Sequence, residues 1–151
     1  MLIVHVLGWP SMNDVTISTF DTSDRAGVVE LWKQCFPNDP PHNEPHWLID
    51  RKVAMHDGLF FVAKNNGVIA GTVLAGYDGV RGWIYHLATH PELRRAGIAT
   101  AMMRHAMKVL KEKGCPKINL QVRRSNTEVV AFYQSMGFSE DQVLSMGLRL
   151  P

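Results

Sequence analysis

Cysteine is scarce in this chain: Cys35 and Cys115 are the two in 151 residues. Two cannot build a disulfide framework, and they show no metal-ligand spacing. They suit a reducing cytosol, as small apolar side chains. Long apolar runs are also missing; none approaches the ~18 residues that span a bilayer. The net charge is only +2, and no run of five like charges occurs, so nucleic acid is not expected as a partner. GxxxxGK followed by Ser or Thr is absent, which excludes a P-loop. GxGxxG is absent too, which excludes a dinucleotide fingerprint. No repeat or low-complexity segment is present.

What is there is an ordinary globular composition, 46% hydrophobic and 20% charged. A chain of this length buries about two thirds of its unfolded surface as one domain. Residues 1–11 are apolar but lack a basic region and a small-residue cleavage site, so a signal peptide is not expected. They read as an extension outside the fold, and residues 12–151 as a single domain.

Val15 to Phe20 alternates as a first strand. Thr22 or Ser23 then caps a helix with Val28, Leu31, Trp32 and Cys35 at i, i+3, i+4 and i+7. Four prolines make residues 36–45 a loop, followed by a helix from His46 to His56. Leu59 to Lys64 and Val68 to Ala75 flank Asn66-Gly67, a hairpin signal because that pair tolerates positive φ. Arg81 to Thr89 reads as a strand. The next helix, running to Lys113, has an apolar stripe of Ala99, Met102, Met103, Ala106 and Leu110, and Gly114 with Pro116 stops it. Ile118 to Val122 is a further strand. Ser125 and Glu128 have capping-box spacing for a helix with Val129, Phe132, Tyr133 and Met136 on one face. Val143 to Leu150 is expected to close the sheet. The order is that of an α+β fold.

Arg94-Arg95-Ala96-Gly97-Ile98-Ala99-Thr100 joins a strand to a helix. First-turn N–H groups there lack intrahelical partners, and the helix dipole adds partial positive charge. Gly97 and the short Ala99 would let a diphosphate approach the backbone closely. An ordinary loop glycine beside two solvated arginines is the competing account.

The run from Leu87 to Ala99 resembles the acetyl-CoA motif of the GNAT superfamily of N-acetyltransferases. That motif is a strand followed by (Gln/Arg)-x-x-Gly-x-(Gly/Ala), matched by Arg94, Gly97 and Ala99. A second motif follows in order: Asn126, Ala131-Phe132-Tyr133, then Gly137-Phe138. The resemblance covers roughly residues 15 to 150 and is nearest to small single-domain bacterial members. It implies a mixed, mostly antiparallel sheet of about six to seven strands with four helices on both faces.

The same resemblance implies acetyl-CoA as co-substrate. It would be held by Leu87, Ala88, Thr89, Arg94, Arg95, Ala96, Gly97, Ile98, Ala99, Thr100, Asn126, Phe132 and Tyr133. Backbone at Leu87 and Thr89 would bind the pantetheine arm, and an N–H near Leu87 would polarise the thioester carbonyl. Tyr133 stands where the family places a tyrosine near the sulfur, as general acid; read without the family it is a core residue on an apolar helix face. Neither motif contains a cysteine to carry the acyl group, so direct attack by a primary amine in a ternary complex is expected.

The general base is open between Tyr85 and His86, with action through water from Glu44 or no dedicated base as further alternatives. Alternation puts Tyr85 on the face where related enzymes keep a catalytic histidine, and His86 on the other unless a bulge intervenes. Gln121 stands where ribosomal-protein alanine acetyltransferases have a glutamate, and it cannot accept a proton. That motivates an alternative, a non-catalytic acyl-CoA-binding or sensory module.

Seven histidines suggest a metal, but prolines break the face shared by His42 and His46, so none is expected. Arg123 and Arg124 read as solvated strand-end charges. The loop around Asp39, Glu44 and Trp47 is acidic and aromatic, which suits a cationic acceptor. A small-molecule or peptide amine, a cytoplasmic location and no membrane partner are expected; a homodimer is left open.

Overall fold

The computed structural model describes residues 15–94 and 96–151. The expected extension at 1–11 and the cofactor candidate Arg95 lie outside them. Two compact units are present, one ending at Leu120 and the other spanning Gln121–Pro151.

The first unit is a sheet of five strands in chain order: β1 (Val15–Thr19), β2 (Phe60–Asn65), β3 (Val68–Tyr77), β4 (Gly82–Thr89) and β5 (Ile118–Leu120). β1 to β4 pair antiparallel, and β5 joins β4 in parallel over Gly82–Ile84 alone. The β2–β3 turn uses Asn66 at φ 48° and Gly67 at φ 79°, the paired positive values a tight hairpin requires.

Among the described residues of this unit the α-helices are α1 (Arg25–Cys35), α2 (Pro45–Ala54) and α3 (Ile98–Glu112). Adjacent residues on β2 show that α1 and α3 lie on opposite faces. The Phe60 ring stacks 5.8 Å from Trp32 of α1, whereas Phe61 meets His105 of α3 edge-on at 4.6 Å. Neighbouring strand side chains point to opposite faces, so each phenylalanine joins a separate apolar layer. Met102, Met103, Ala106 and Leu110 of α3 are fully buried. Each large one contributes about 1.5–3 kcal/mol through removal from water.

The start of α1 differs from expectation. Asp21 caps the 3₁₀ turn Thr22–Asp24 that leads into it, its carboxylate accepting from Ser23 N while Asp24 accepts from Asp21 N at 2.9 Å. The cap position of α1 itself is Asp24, not Thr22 or Ser23, and it makes no side-chain cap bond to the helix. A carboxylate accepts more strongly than a hydroxyl. Asp24 is buried, and Lys64 of β2 neutralises it at 2.8 Å. The proline-rich loop is partly ordered as a 3₁₀ turn, Pro41–Asn43. α2 begins at Pro45 itself, since proline's fixed φ suits a first helical residue.

The second unit carries α4 (Thr127–Ser135), capped at Asn126 without a side-chain hydrogen bond. The Ser125–Glu128 capping box therefore does not form; Ser125 stands one residue before the cap, and a box requires the cap itself. Val143 to Leu150 forms no strand, so among the described residues the sheet has five strands and not six to seven. Alternation makes a strand only where a backbone partner exists, and Gly147 weakens the run further.

Candidate active site

The backbone of β4 departs from regular pairing at one place. Tyr85 opposes Leu74 and Ala88 opposes Thr72, so His86 and Leu87 together face the single residue Val73. Two residues against one is a β-bulge, which re-aims side chains. His86 sits at its centre with φ 49°, a left-handed conformation uncommon outside glycine.

That bulge decides which way His86 points. A Cβ on Gly82 would meet Leu110 of α3, so Gly82 and, by alternation, Ile84 face α3. A regular strand would send His86 the same way. Its ring instead lies 4.9 Å from Trp32 and 4.7 Å from Phe36, on the α1 side. The face assigned to His86 by simple alternation is thereby corrected.

His86 Nε2 is 3.0 Å from Asp39 Oδ2. A carboxylate can only accept, so Nε2 carries the hydrogen and Nδ1 is left with its lone pair. Burial holds the imidazole below its ordinary 6.5, with Asp39 opposing less strongly. A neutral, oriented imidazole with Nδ1 as its basic nitrogen results.

This pair borders a cleft of about 340 Å³ whose wall includes Trp32, Phe36, Pro41 and Glu44. Asp39 and Glu44 are thus brought to one place. Trp47 is not in that wall; it is 62% exposed, and its backbone N–H donates to Glu44 as part of the α2 cap. Glu44 has a structural duty the sequence spacing did not reveal. Tyr85 is half-exposed and stacks 6.4 Å from Trp83. Burial, aided by Asp78, raises its phenol, which leaves it a poorer acid than a free tyrosine and firmly protonated at neutral pH.

The turn between β4 and α3 has its own caps. His90 Nδ1 accepts from Glu92 N at 3.2 Å across the 3₁₀ turn Pro91–Leu93. Gly97 is the N-cap of α3 at φ 83°, and no side chain caps that helix. A cap residue without a side chain gives an anion close access to the first-turn backbone. Ala99 and Thr100 follow within that turn. Cys35 donates to Thr89 O at 3.4 Å; burial raises its thiol, against a smaller opposing effect of Arg94. Both cysteines are free.

In the second unit, Tyr133 is buried, with ring centroids 5.2 Å from Phe132 and 5.7 Å from Phe138. Burial pushes its phenol up to about 12. Asn126 is exposed. Gln121 donates through Nε2 to Ser145 Oγ.

Trp32, Phe36 and Thr72 were not singled out as site residues by sequence reading. Thr72 left one signal: it is the sole hydroxyl in the otherwise apolar run Val68 to Ala75. Among the described residues, no three His, Cys, Asp or Glu side chains gather as metal ligands would, and no helix is long and apolar enough to cross a membrane.

Comparison with solved structures finds the same fold. A protein of Agrobacterium tumefaciens str. C58, provisionally described as an acetyltransferase, is 25% identical with a TM-score of 0.72, over 89% of this chain and 99% of that one. The aminoglycoside N-acetyltransferase AAC(6')-Iy, solved with CoA, is 20% identical at TM-score 0.73, over 90% and 95%. PaiA N-acetyltransferase of Thermoplasma acidophilum, in complex with coenzyme A, is 19% identical at TM-score 0.74, over 85% and 92%. The family model for the acetyltransferase (GNAT) family matches residues 25–138, three quarters of the chain. With a β4 bulge, a glycine-capped α3 and that match, the chain belongs to the GNAT acetyltransferase family.

Proposed function

We propose that this protein is an acetyl-CoA-dependent N-acetyltransferase acting on a primary amine by direct attack in a ternary complex. The observation that carries this is the His86–Asp39 pair beside an acidic, aromatic cleft. An amine arrives as an ammonium ion, and Asp39 with Glu44 favour a cation there, against one opposing lysine, Lys33. Nδ1 of His86 then takes a proton, directly or through water, and Asp39 holds the ring in the tautomer that leaves this atom basic.

Acetyl-CoA supplies an activated thioester. Backbone N–H groups from Arg95 to Thr100 hold its diphosphate, the role for which Gly97 leaves room. Arg94, Ala96, Ile98 and Ala99 belong to that segment, and Leu87, Ala88 and Thr89 offer strand backbone to the pantetheine arm. The Leu87 N–H, in the bulge, is the donor to the thioester oxygen as negative charge grows there. Asn126 and Phe132 complete the set by resemblance.

Tyr133 donates a hydrogen bond to the departing thiolate. A phenol at about 12 always carries its hydrogen at neutral pH, but full transfer to a thiolate of pKa about 8.5 is uphill. Its contribution is therefore stabilisation of the leaving group.

The missing glutamate at Gln121 favoured a non-catalytic acyl-CoA-binding module. His86 offers a basic group from β4, which weakens that motive. Incubation with acetyl-CoA and a panel of polyamines, aminoglycosides, amino acids and peptides should release free thiol with cationic amines, and Asp39→Ala or Glu44→Ala should raise KM for them. CoA binding without turnover on any amine would establish the module instead.

A further inference from the structure

The position of His86 depends on a buried chain of hydrogen bonds that begins two elements away. Trp32 Nε1 donates to Thr72 Oγ1 at 2.8 Å, and Thr72 Oγ1 donates to His86 O at 3.1 Å. The direction is fixed by chemistry. An indole N–H only donates, so the hydroxyl must accept from it. A carbonyl only accepts, so the single hydroxyl hydrogen goes to His86 O. Trp32 is 2% exposed and Thr72 not at all, so no solvent competes for the hydroxyl or the indole N–H.

The carbonyl concerned belongs to the left-handed residue of the bulge. A bulge disrupts the local ladder and needs another partner for its polar groups. Thr72 provides it from β3, across the register shift between Thr72 and Leu74. Trp32 works twice: its N–H orients the hydroxyl, and its ring packs against the His86 imidazole. Valine would fill the same space in β3 without either bond.

We propose that Thr72, oriented by Trp32, is a positioning residue that locks the β4 bulge and so sets both the His86 imidazole and the Leu87 N–H. This rests on the proposed roles of His86 and Leu87, but it is testable without turnover. Neither Thr72 nor Trp32 needs to touch a substrate. One buried hydroxyl would couple the base to the carbonyl-polarising donor, because the two belong to consecutive residues of one bulge.

The test compares Thr72→Val, which removes the hydroxyl and keeps the shape, with Thr72→Ser, which keeps the hydroxyl. The histidine ring nitrogens and backbone amides are followed by NMR across pH, alongside kcat and KM. Thr72→Val should shift the His86 titration midpoint and the Leu87 amide resonance. It should also lower kcat by about tenfold or more with little change in KM for acetyl-CoA, as small misplacements of reacting groups do. Thr72→Ser should restore all of these. If Thr72→Val fails to fold, Trp32→Phe, which removes the donor N–H together with part of the ring, should move the Leu87 amide resonance as well as the His86 signals.

A folded Thr72→Val, or Trp32→Phe in its stead, with native His86 titration and Leu87 amide resonance overturns the proposal. Should His86→Gln keep full turnover while Thr72→Val still moves the His86 signals, the base assignment fails and the lock stands.

Discussion

His86 Nε2 and Asp39 Oδ2 lie 3.0 Å apart although 47 positions separate them in the chain. One comes from a bulged strand and the other from a proline-rich loop. Their meeting fixes the orientation of a largely buried imidazole. Imidazole burial and the carboxylate act in opposite directions on its proton, and burial prevails.

The pH dependence of turnover follows. With its pKa held below 6.5 by burial, His86 is neutral at physiological pH and loses its basic lone pair only at pH below that value. kcat/KM should fall along an acid limb whose midpoint lies below 6.5. His86→Gln should reduce kcat by about a hundredfold or more and abolish that limb. A profile with the same limb in the variant would assign it elsewhere.

Stability should respond to the same group. The unfolded chain binds a proton to this histidine near 6.5, while the native state resists until lower pH. Between those values the unfolded state holds more protons, so stability rises with pH. The contribution is fully present above 6.5 and is lost as pH falls through the native value. Thermal unfolding from pH 8 down to 5 should show this drop in Tm, and His86→Gln should flatten it.

Gly97→Glu examines the cofactor turn. The position has φ 83°, which strains any L side chain by roughly 1–2 kcal/mol, and the new carboxylate would repel a diphosphate. Calorimetry should find CoA binding weakened more than tenfold, above about 1.4 kcal/mol, with the circular dichroism spectrum unchanged. Native affinity in that variant would remove the turn from the CoA site.

Tyr133→Phe separates binding from leaving-group stabilisation. The ring can still pack against Phe132 and Phe138, so the fold should persist. Turnover should drop substantially while CoA affinity stays close to native. Equal losses in kcat and CoA affinity would make Tyr133 a packing residue only.

Local pattern alone determined a good deal of this protein. The stripe Met102, Met103, Ala106 and Leu110 specified the buried face of α3, and Asn66-Gly67 specified the hairpin turn, because both depend on neighbours within a few residues. The glycine motif and the second motif around Tyr133 identified the family. Pattern misled where an element needed a partner: Val143 to Leu150 alternates like a strand but has no backbone to pair with among the described residues. The reciprocal cap formed at Asp21, on the 3₁₀ turn that precedes α1, through a bond that spacing did not single out.

Only the tertiary structure decided which side of the sheet His86 faces. Alternation is a property of a regular strand, and the bulge at His86–Leu87 arises from pairing with β3, held by a hydroxyl on Thr72 and an indole on Trp32. Those bonds join residues 14 and 40 positions apart. A one-dimensional period records the repeat of a single segment. It carries no trace of where two segments slip by one residue, and here that slip turns the His86 imidazole toward Trp32 and Asp39.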